Sequence, residues 1–176
     1  MNSLDLDICY LSASEALEKF KNKSLSPVEL LNETIKRIEN VNPKINAFNF
    51  FRFEEALKEA KHSELKYTED KSTLPLEGLP LAIKDEVNIK GQPNKNGSLI
   101  YKDVIAEETD VDVDSLLSSG AIIHARTTNP EFSLTSFCHS KVNGVTRNPW
   151  NLDMTPGGSS GGSAAALASG CASLAT

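Results

Sequence analysis

Apolar residues recur at helical spacing through the first third of the chain, then give way to short apolar runs bounded by glycine and proline. Ser12-Ala13-Ser14-Glu15 reads as a capping box, the cap hydroxyl and the acid three residues on satisfying each other's backbone N–H groups. Ala16, Leu17 and Phe20 give the helix it opens one apolar side. A stronger start follows, with Ser26 as N-cap, Pro27 at the first helical position, Glu29 closing the box, and Leu25 and Leu30 as a hydrophobic staple. Val28, Leu31, Ile35 and Ile38 continue the stripe, which predicts a helix to about Asn40, ended by Asn42-Pro43. Ile45 to Phe51 is a short strand candidate, and Phe53 to about Leu65 a third helix with Ala56, Leu57 and Ala60 inward. Phe48, Phe50, Phe51 and Phe53 read as core. His62 and the polar run Lys66 to Ser72 read as surface and loop.

From about residue 75 the pattern changes. Leu79 to Ile83 is a compact apolar run bounded by proline and acid, a buried strand with Lys84 at its end. Val87-Asn88-Ile89 continues extended, and Gly91 to Ser98 is a loop. Asp110 to Ser119, with Val111, Leu116 and Leu117 apolar, reads as a helix stopped by Gly120, and Ala121 to Ala125 as the next strand. Strand, helix and strand make a βαβ unit, which favours a parallel pair with a right-handed crossover. The fold class is therefore α/β. His124 falls inside the second strand as a packed core residue, while His139, in the polar loop Ser136 to Ser140, is a candidate to border a substrate pocket. In Arg147-Asn148-Pro149-Trp150 the tryptophan is expected to anchor its loop on the core and Arg147 to brace the Gly/Ser loop that follows.

Composition narrows the function classes. With 39% hydrophobic and 24% charged residues, the chain is ordinary globular protein rather than disordered. A net charge of −6 argues against a nucleic-acid surface, which needs a basic footprint. No apolar run approaches the roughly 18 residues of a membrane span. Met1 to Asp7 carries acids where a signal peptide carries basic residues. Cys9, Cys138 and Cys171 are odd in number and far apart, which indicates neither a disulfide framework nor a metal site and fits a reducing cytoplasm. Neither His124 nor His139 has a partner at ligand spacing, so no metal site is expected.

The candidate chemistry lies in Thr155-Pro156-Gly157-Gly158-Ser159-Ser160-Gly161-Gly162-Ser163, which runs into Ala164 to Ala168, all good helix formers. A Gly/Ser loop feeding a helix N-terminus gathers N–H groups and a positive dipole end around two hydroxyls. Three readings compete: a flexible linker, which the helix following directly disfavours; a phosphate cradle, which lacks the lysine of the Walker pattern; and a catalytic serine loop, which needs a base from elsewhere. Lys84 is a candidate base. Alone it would read as a surface lysine closing a strand, but the apolar run before it implies burial, and burial favours a neutral amine that can take a proton.

The loop resembles the core of the amidase signature family, serine hydrolases that cleave the C–N bonds of amides. Pro75-Leu76-Glu77-Gly78-Leu79-Pro80-Leu81-Ala82-Ile83-Lys84-Asp85 resembles the family's segment around its catalytic lysine. Ala125 to Phe132 and Gly144 to Asn151 resemble its two middle blocks, so four blocks stand in order, from about Ser24 onward. The resemblance implies a Ser–Ser–Lys triad without cofactor. Lys84 matches the base, and Ser159 matches the relay serine whose peptide bond to the preceding glycine is cis. Ser160 is a supporting serine, and Gly157 and Gly158 shape the loop. Ser163 and Ser169 read as helix-surface or packing residues. The implied substrate is a small-molecule amide, with no nucleic acid bound directly, no membrane, and a homodimer of the full-length protein as a further expectation.

One departure bears on activity. In the family the nucleophilic serine lies roughly two dozen residues beyond the relay serine, in a Gly-Gly-Ser turn that also builds the oxyanion hole. Counted from Ser159, that position falls past Thr176. The expectation is that residues 1–176 are the N-terminal portion of a single amidase domain. It would comprise a helical segment at about 12–65 and an α/β core from about 75, a mixed sheet flanked by helices, incomplete before the nucleophile turn and inactive alone. Within the family, Asn129-Pro130-Glu131-Phe132 is more like the stand-alone amidases than the glutamyl-tRNA amidotransferase subunit, which usually carries Met-Asp-Glu-Phe there. A non-catalytic remnant that keeps the serine loop is the rival from another class.

Overall fold

The computed structural model describes residues 8–176; the acidic start Met1 to Asp7 lies outside the described residues. Helix α1 spans Ala13–Lys21 and α2 spans Pro27–Ile45, each opened by a complete capping box, Ser12 with Glu15 and Ser26 with Glu29. Helix α2 runs five residues beyond the expected end, with Pro43 inside it. Proline removes one backbone donor, but Glu39, whose carbonyl loses that bond, is exposed, so water can serve it. On the buried side the stripe continues from Ile38 to Ile45, both 2% exposed or less. The helix ends at Asn46 in a left-handed conformation, and Asn42 Oδ1 accepts from Ala47 N and Phe48 N to turn the chain into the sheet.

Strand β1 is Phe48–Phe51, shorter than expected, and α3 is Phe53–Thr68, longer by three residues. Phe48 is buried, but Phe51 is 41% exposed and stacks on Phe53 at 4.8 Å, so the aromatic run is only partly core. Strand β2 is Pro80–Lys84, α4 is Val111–Ser118 and β3 is Ile122–Thr127. Strands β2 and β3 pair in parallel, as the βαβ pattern predicts. In α4 the buried residue is Val113, whereas Val111 is 81% exposed. A two-stranded hairpin, β4 (His139–Ser140) and β5 (Gly144–Val145), precedes α5 (Gly161–Ala168) and β6 (Leu174–Ala175).

The main sheet has the order β1-β3-β2-β6 and is mixed: β1 is antiparallel to β3, while β2 runs parallel to both β3 and β6. Leu81, Ile83 and Ile123 pack with Val113 of α4, while Ala82 and Ala125 pack with Ala165 and Ala166 of α5 and Ile38 of α2. Side chains alternate across a strand, so the small residues of β2 face α5 and the large ones face α4. Alanine against alanine lets α5 lie close to the sheet.

Trp150 does not anchor its loop. It is 87% exposed at the tip of a turn held by Asn148, whose Oδ1 accepts from Trp150 N at 2.9 Å. Arg147 donates to the carbonyl of Leu152 at 2.9 Å, three residues short of Thr155, and so braces this turn rather than the Gly/Ser loop. The chain turns at Asp85 and Glu86 directly after β2 and bends at Val87, so Val87 to Ile89 do not extend the strand.

Candidate active site

Lys84 ends β2 two residues after Ala82, so strand alternation points it toward the face that α5 covers. The loop entering α5 can come close because of its glycines. Gly157 has a φ of +92°, a region that side chains with a Cβ rarely adopt. Gly158 packs on the backbone of Thr135 to Phe137, where a Cβ would lie 2.8–2.9 Å from three backbone atoms. At Gly162 a Cβ would stand 2.4 Å from the carbonyl oxygen of Thr128, and the Gly162 N–H donates to that oxygen at 3.2 Å. One N–H of the helix start is therefore spent on the scaffold. The Gly158–Ser159 peptide bond is cis.

This packing joins two residues 75 positions apart: Lys84 Nζ donates to Ser159 Oγ at 2.8 Å. Lys84 is 5% exposed. Its amine also pairs with Glu86 Oε1 at 2.7 Å. Asp85, the neighbour considered from sequence, turns away and accepts from Gly97 N at 3.3 Å. Burial would raise the Glu86 carboxyl, but hydrogen bonds from Lys84 and Ser133 and the charge of Lys84 outweigh it and hold Glu86 below the ordinary glutamate value.

Ser160 occupies the N-cap position of α5, exposed and without a side-chain bond to the helix. Ser163 is buried against Thr127 Oγ1 at 2.7 Å and donates to the Thr176 carbonyl at 2.5 Å, while Ser169 donates to the Ala165 carbonyl at 2.7 Å; of the two readings, helix surface or packing, both take packing. His139 is exposed on β4 and lines a hollow of about 120 Å³ with Phe137, Arg147 and Thr155, a hollow that includes neither Lys84 nor Ser159. His124 is buried in β3, its Nε2 3.0 Å from the Cys171 carbonyl. Cys9, Cys138 and Cys171 are buried, and none is joined in a disulfide. Among the described residues no three His, Cys, Asp or Glu side chains are grouped to hold a metal, and no helix is long and apolar enough to cross a membrane.

Sequence reading missed Arg126, on β3, whose side chain is fully buried. Its Nη2 donates to the carbonyls of Lys84 (3.1 Å), Asp85 (3.3 Å) and Val87, and Nη1 to the carbonyl of Pro93 at 3.3 Å. Burial pulls its pKa down to about 10 against the opposing charges of Asp85 and Asp110, so it remains a cation at neutral pH. This one guanidinium folds the chain back after Lys84, and that return brings Glu86 to the amine. An arginine continuing the apolar run Ala121 to Ile123 into a buried strand was the available signal.

A buried amine hydrogen-bonded to a hydroxyl can move a proton along that bond. The family comparisons agree with the blocks that carry these residues. Residues 29–176 match the family model described as Amidase. Over 158 residues the chain is 39% identical to a glutamyl-tRNA(Gln) amidotransferase subunit from Methylacidiphilum infernorum, covering 90% of this chain and 31% of that protein. It is 36% identical over 164 residues to the indoleacetamide hydrolase of Bradyrhizobium diazoefficiens, covering 93% and 31%. Among solved structures, fatty acid amide hydrolase superposes with a TM-score of 0.93 at 27% identity, covering 99% of this chain and 31% of that one. A bacterial aryl acylamidase of the amidase signature family superposes at 0.87 and 30% identity, covering 93% and 34%. The chain thus spans about a third of the length of these relatives. With its matched blocks, its mixed sheet between helices and its superposition on solved amidases, the chain belongs to the amidase signature family.

Proposed function

We propose that this chain carries the proton-relay half of an amidase site, in a protein that hydrolyses a carboxylic amide to a carboxylate and ammonia or an amine. The observation that carries the reading is the 2.8 Å hydrogen bond from Lys84 Nζ to Ser159 Oγ, between two segments that resemble the family's lysine and serine blocks. Lys84 is the base and Ser159 the relay. Gly157 and Gly158 shape the loop, and Ser160 supports it. In the family pattern the attacking serine and its oxyanion hole stand in a Gly-Gly-Ser turn numbered beyond 176. The proton of that serine would pass through Ser159 Oγ to neutral Lys84 Nζ, and the same path would return it to the leaving amine. No cofactor enters this chemistry.

Without the attacking serine, residues 1–176 are proposed to be inactive by themselves. Purified chain incubated with simple amides should release no ammonia. Turnover that Lys84→Ala abolished would overturn this and would place a nucleophile within the chain.

On substrate class, Asn129-Pro130-Glu131-Phe132 favours a stand-alone amidase. The 39% identity to a glutamyl-tRNA(Gln) amidotransferase subunit supports a second reading, in which the site works with partner subunits. The two differ in an assay of the whole protein. A stand-alone amidase releases ammonia from free amides unaided, whereas an amidotransferase component gains activity when its partners are added.

A further inference from the structure

Within the site just proposed, Glu86 is the group that neither the resemblance nor the matched blocks assign. Its carboxylate lies 2.7 Å from Lys84 Nζ, and the two side chains differ in access, 6% exposed for the lysine and 33% for the glutamate. Glu86 is itself held by Ser133, in the short 3₁₀ turn Glu131–Ser133. The residues that follow, Thr135 to Phe137, form the backbone wall on which Gly158 packs. The contacts therefore close a ring: Glu86 to Lys84, Lys84 to Ser159, Ser159 through Gly158 to the 133–137 segment, and Ser133 back to Glu86. Arg126 ties the chain between Lys84 and Val87 from below, which sets where Glu86 can reach.

We propose that Glu86 is a positioning residue of this site: its carboxylate, ion-paired with the Lys84 amine, holds that amine against Ser159. The amine is held from two sides, by the Glu86 carboxylate at 2.7 Å and by Ser159 Oγ at 2.8 Å, so the carboxylate sets the direction in which the amine meets the hydroxyl. The other charged groups near the pair are committed elsewhere. Asp85 accepts from Gly97 and faces Arg126, Arg126 directs its Nη1 and Nη2 donors to backbone carbonyls and Gln92, and Glu131 accepts from Ser98 at 2.7 Å. The inference rests on Lys84 as the base of the proposed reaction.

The test uses the chain as it is and needs no turnover. Trace acetic anhydride modifies amines in their neutral form, and peptide mass spectrometry reads each lysine separately. At one fixed pH of about 8, Glu86→Gln should free the Lys84 amine from its carboxylate and make it label faster than wild type, with the exposed Lys90 as internal reference. Glu86→Asp, which keeps the charge, should restore much of the wild-type rate, a rescue that a packing role alone would not give. An unchanged Lys84 rate in a folded Glu86→Gln protein overturns the inference. The reciprocal measurement keeps all Glu86 atoms: in Lys84→Met the Glu86 carboxyl resonance should titrate at higher pH than in wild type, and an identical titration overturns the inference equally. Glu86-dependent labelling in a protein whose complete form cleaves no amide would sink the amidase reading and leave this one standing. Amide cleavage with Glu86-independent labelling would do the reverse.

Discussion

Single side chains in this protein hold its site by being small or by being buried, and two of them give sharp tests. Gly162 leaves no room for a methyl group, because the nearest atoms belong to the backbone of Thr128 and cannot swing aside. Gly162→Ala should therefore destabilise the fold by roughly 1–3 kcal/mol as α5 is pushed off the sheet, which urea unfolding would read directly. His124 tests burial through pH. It is fully buried, and desolvation carries its pKa down to about 4 against the opposing backbone contacts with Cys171 and Leu81. The unfolded chain binds a proton near the ordinary value of 6.5 while the folded chain stays neutral, so stability is full above pH 6.5 and is lost as pH falls toward 4. The loss should approach about 3 kcal/mol, of which the part above about pH 4.5 precedes the titration of most carboxylates. Urea midpoints taken from about pH 7 to about pH 4.5 should fall in wild type and stay flatter in His124→Leu. A flat wild-type profile would mean that the imidazole finds a partner or water. The central residues of the site were legible from the chain itself only in part. Lys84 stood out as a lysine ending an apolar run, but its contact with Glu86 depends on the turn that Arg126 imposes, and no local pattern encodes that turn.

At the scale of elements, the first half of the chain was the easier to read because its signals are local. Capping boxes at Ser12 and Ser26 form as the spacing predicts, since cap and acid lie within one turn of each other. Ser26→Ala should cost about 1 kcal/mol, measured as a lower melting temperature with native far-ultraviolet circular dichroism retained. The same locality misled at Pro43. A proline reads as a stop, yet the core contact of Ile45 carries α2 past it. Boundaries of β1 and α3 moved for the same reason: packing against β3 and Glu77 decides them, as in the buried bonds that Ser63 and Tyr67 give to Glu77. The βαβ unit was legible as strand, helix, glycine and strand. Which residues of α4 face inward was not, because Val111 and Val113 are equally apolar and only the sheet chooses between them.

For the whole molecule, sequence and fold meet at the line where α5 crosses β2. Small residues on one side of the sheet, glycines at the start of α5 and the buried guanidinium of Arg126 together bring Ser159 and Lys84 into contact across 75 residues. The resemblance to the amidase signature family pointed to both residues, but their contact is a property of this packing. Trp150, Leu152 and Met154 lie 40% or more exposed near the entry to the serine loop, an apolar surface where the residue pattern placed Trp150 on the core. Their exposure follows from the Asn148 turn, which projects the loop outward. The measurement that tests the central claim most directly is a chimera. Residues 8–176 replace the matching third of the Bradyrhizobium diazoefficiens indoleacetamide hydrolase, to which the chain is 36% identical, and hydrolysis of indoleacetamide is followed with Lys84 intact and as Lys84→Ala. The account predicts hydrolysis by the chimera and a fall on the order of a thousand-fold with Lys84→Ala. A folded chimera that hydrolyses nothing, or one whose turnover survives loss of Lys84, would contradict it.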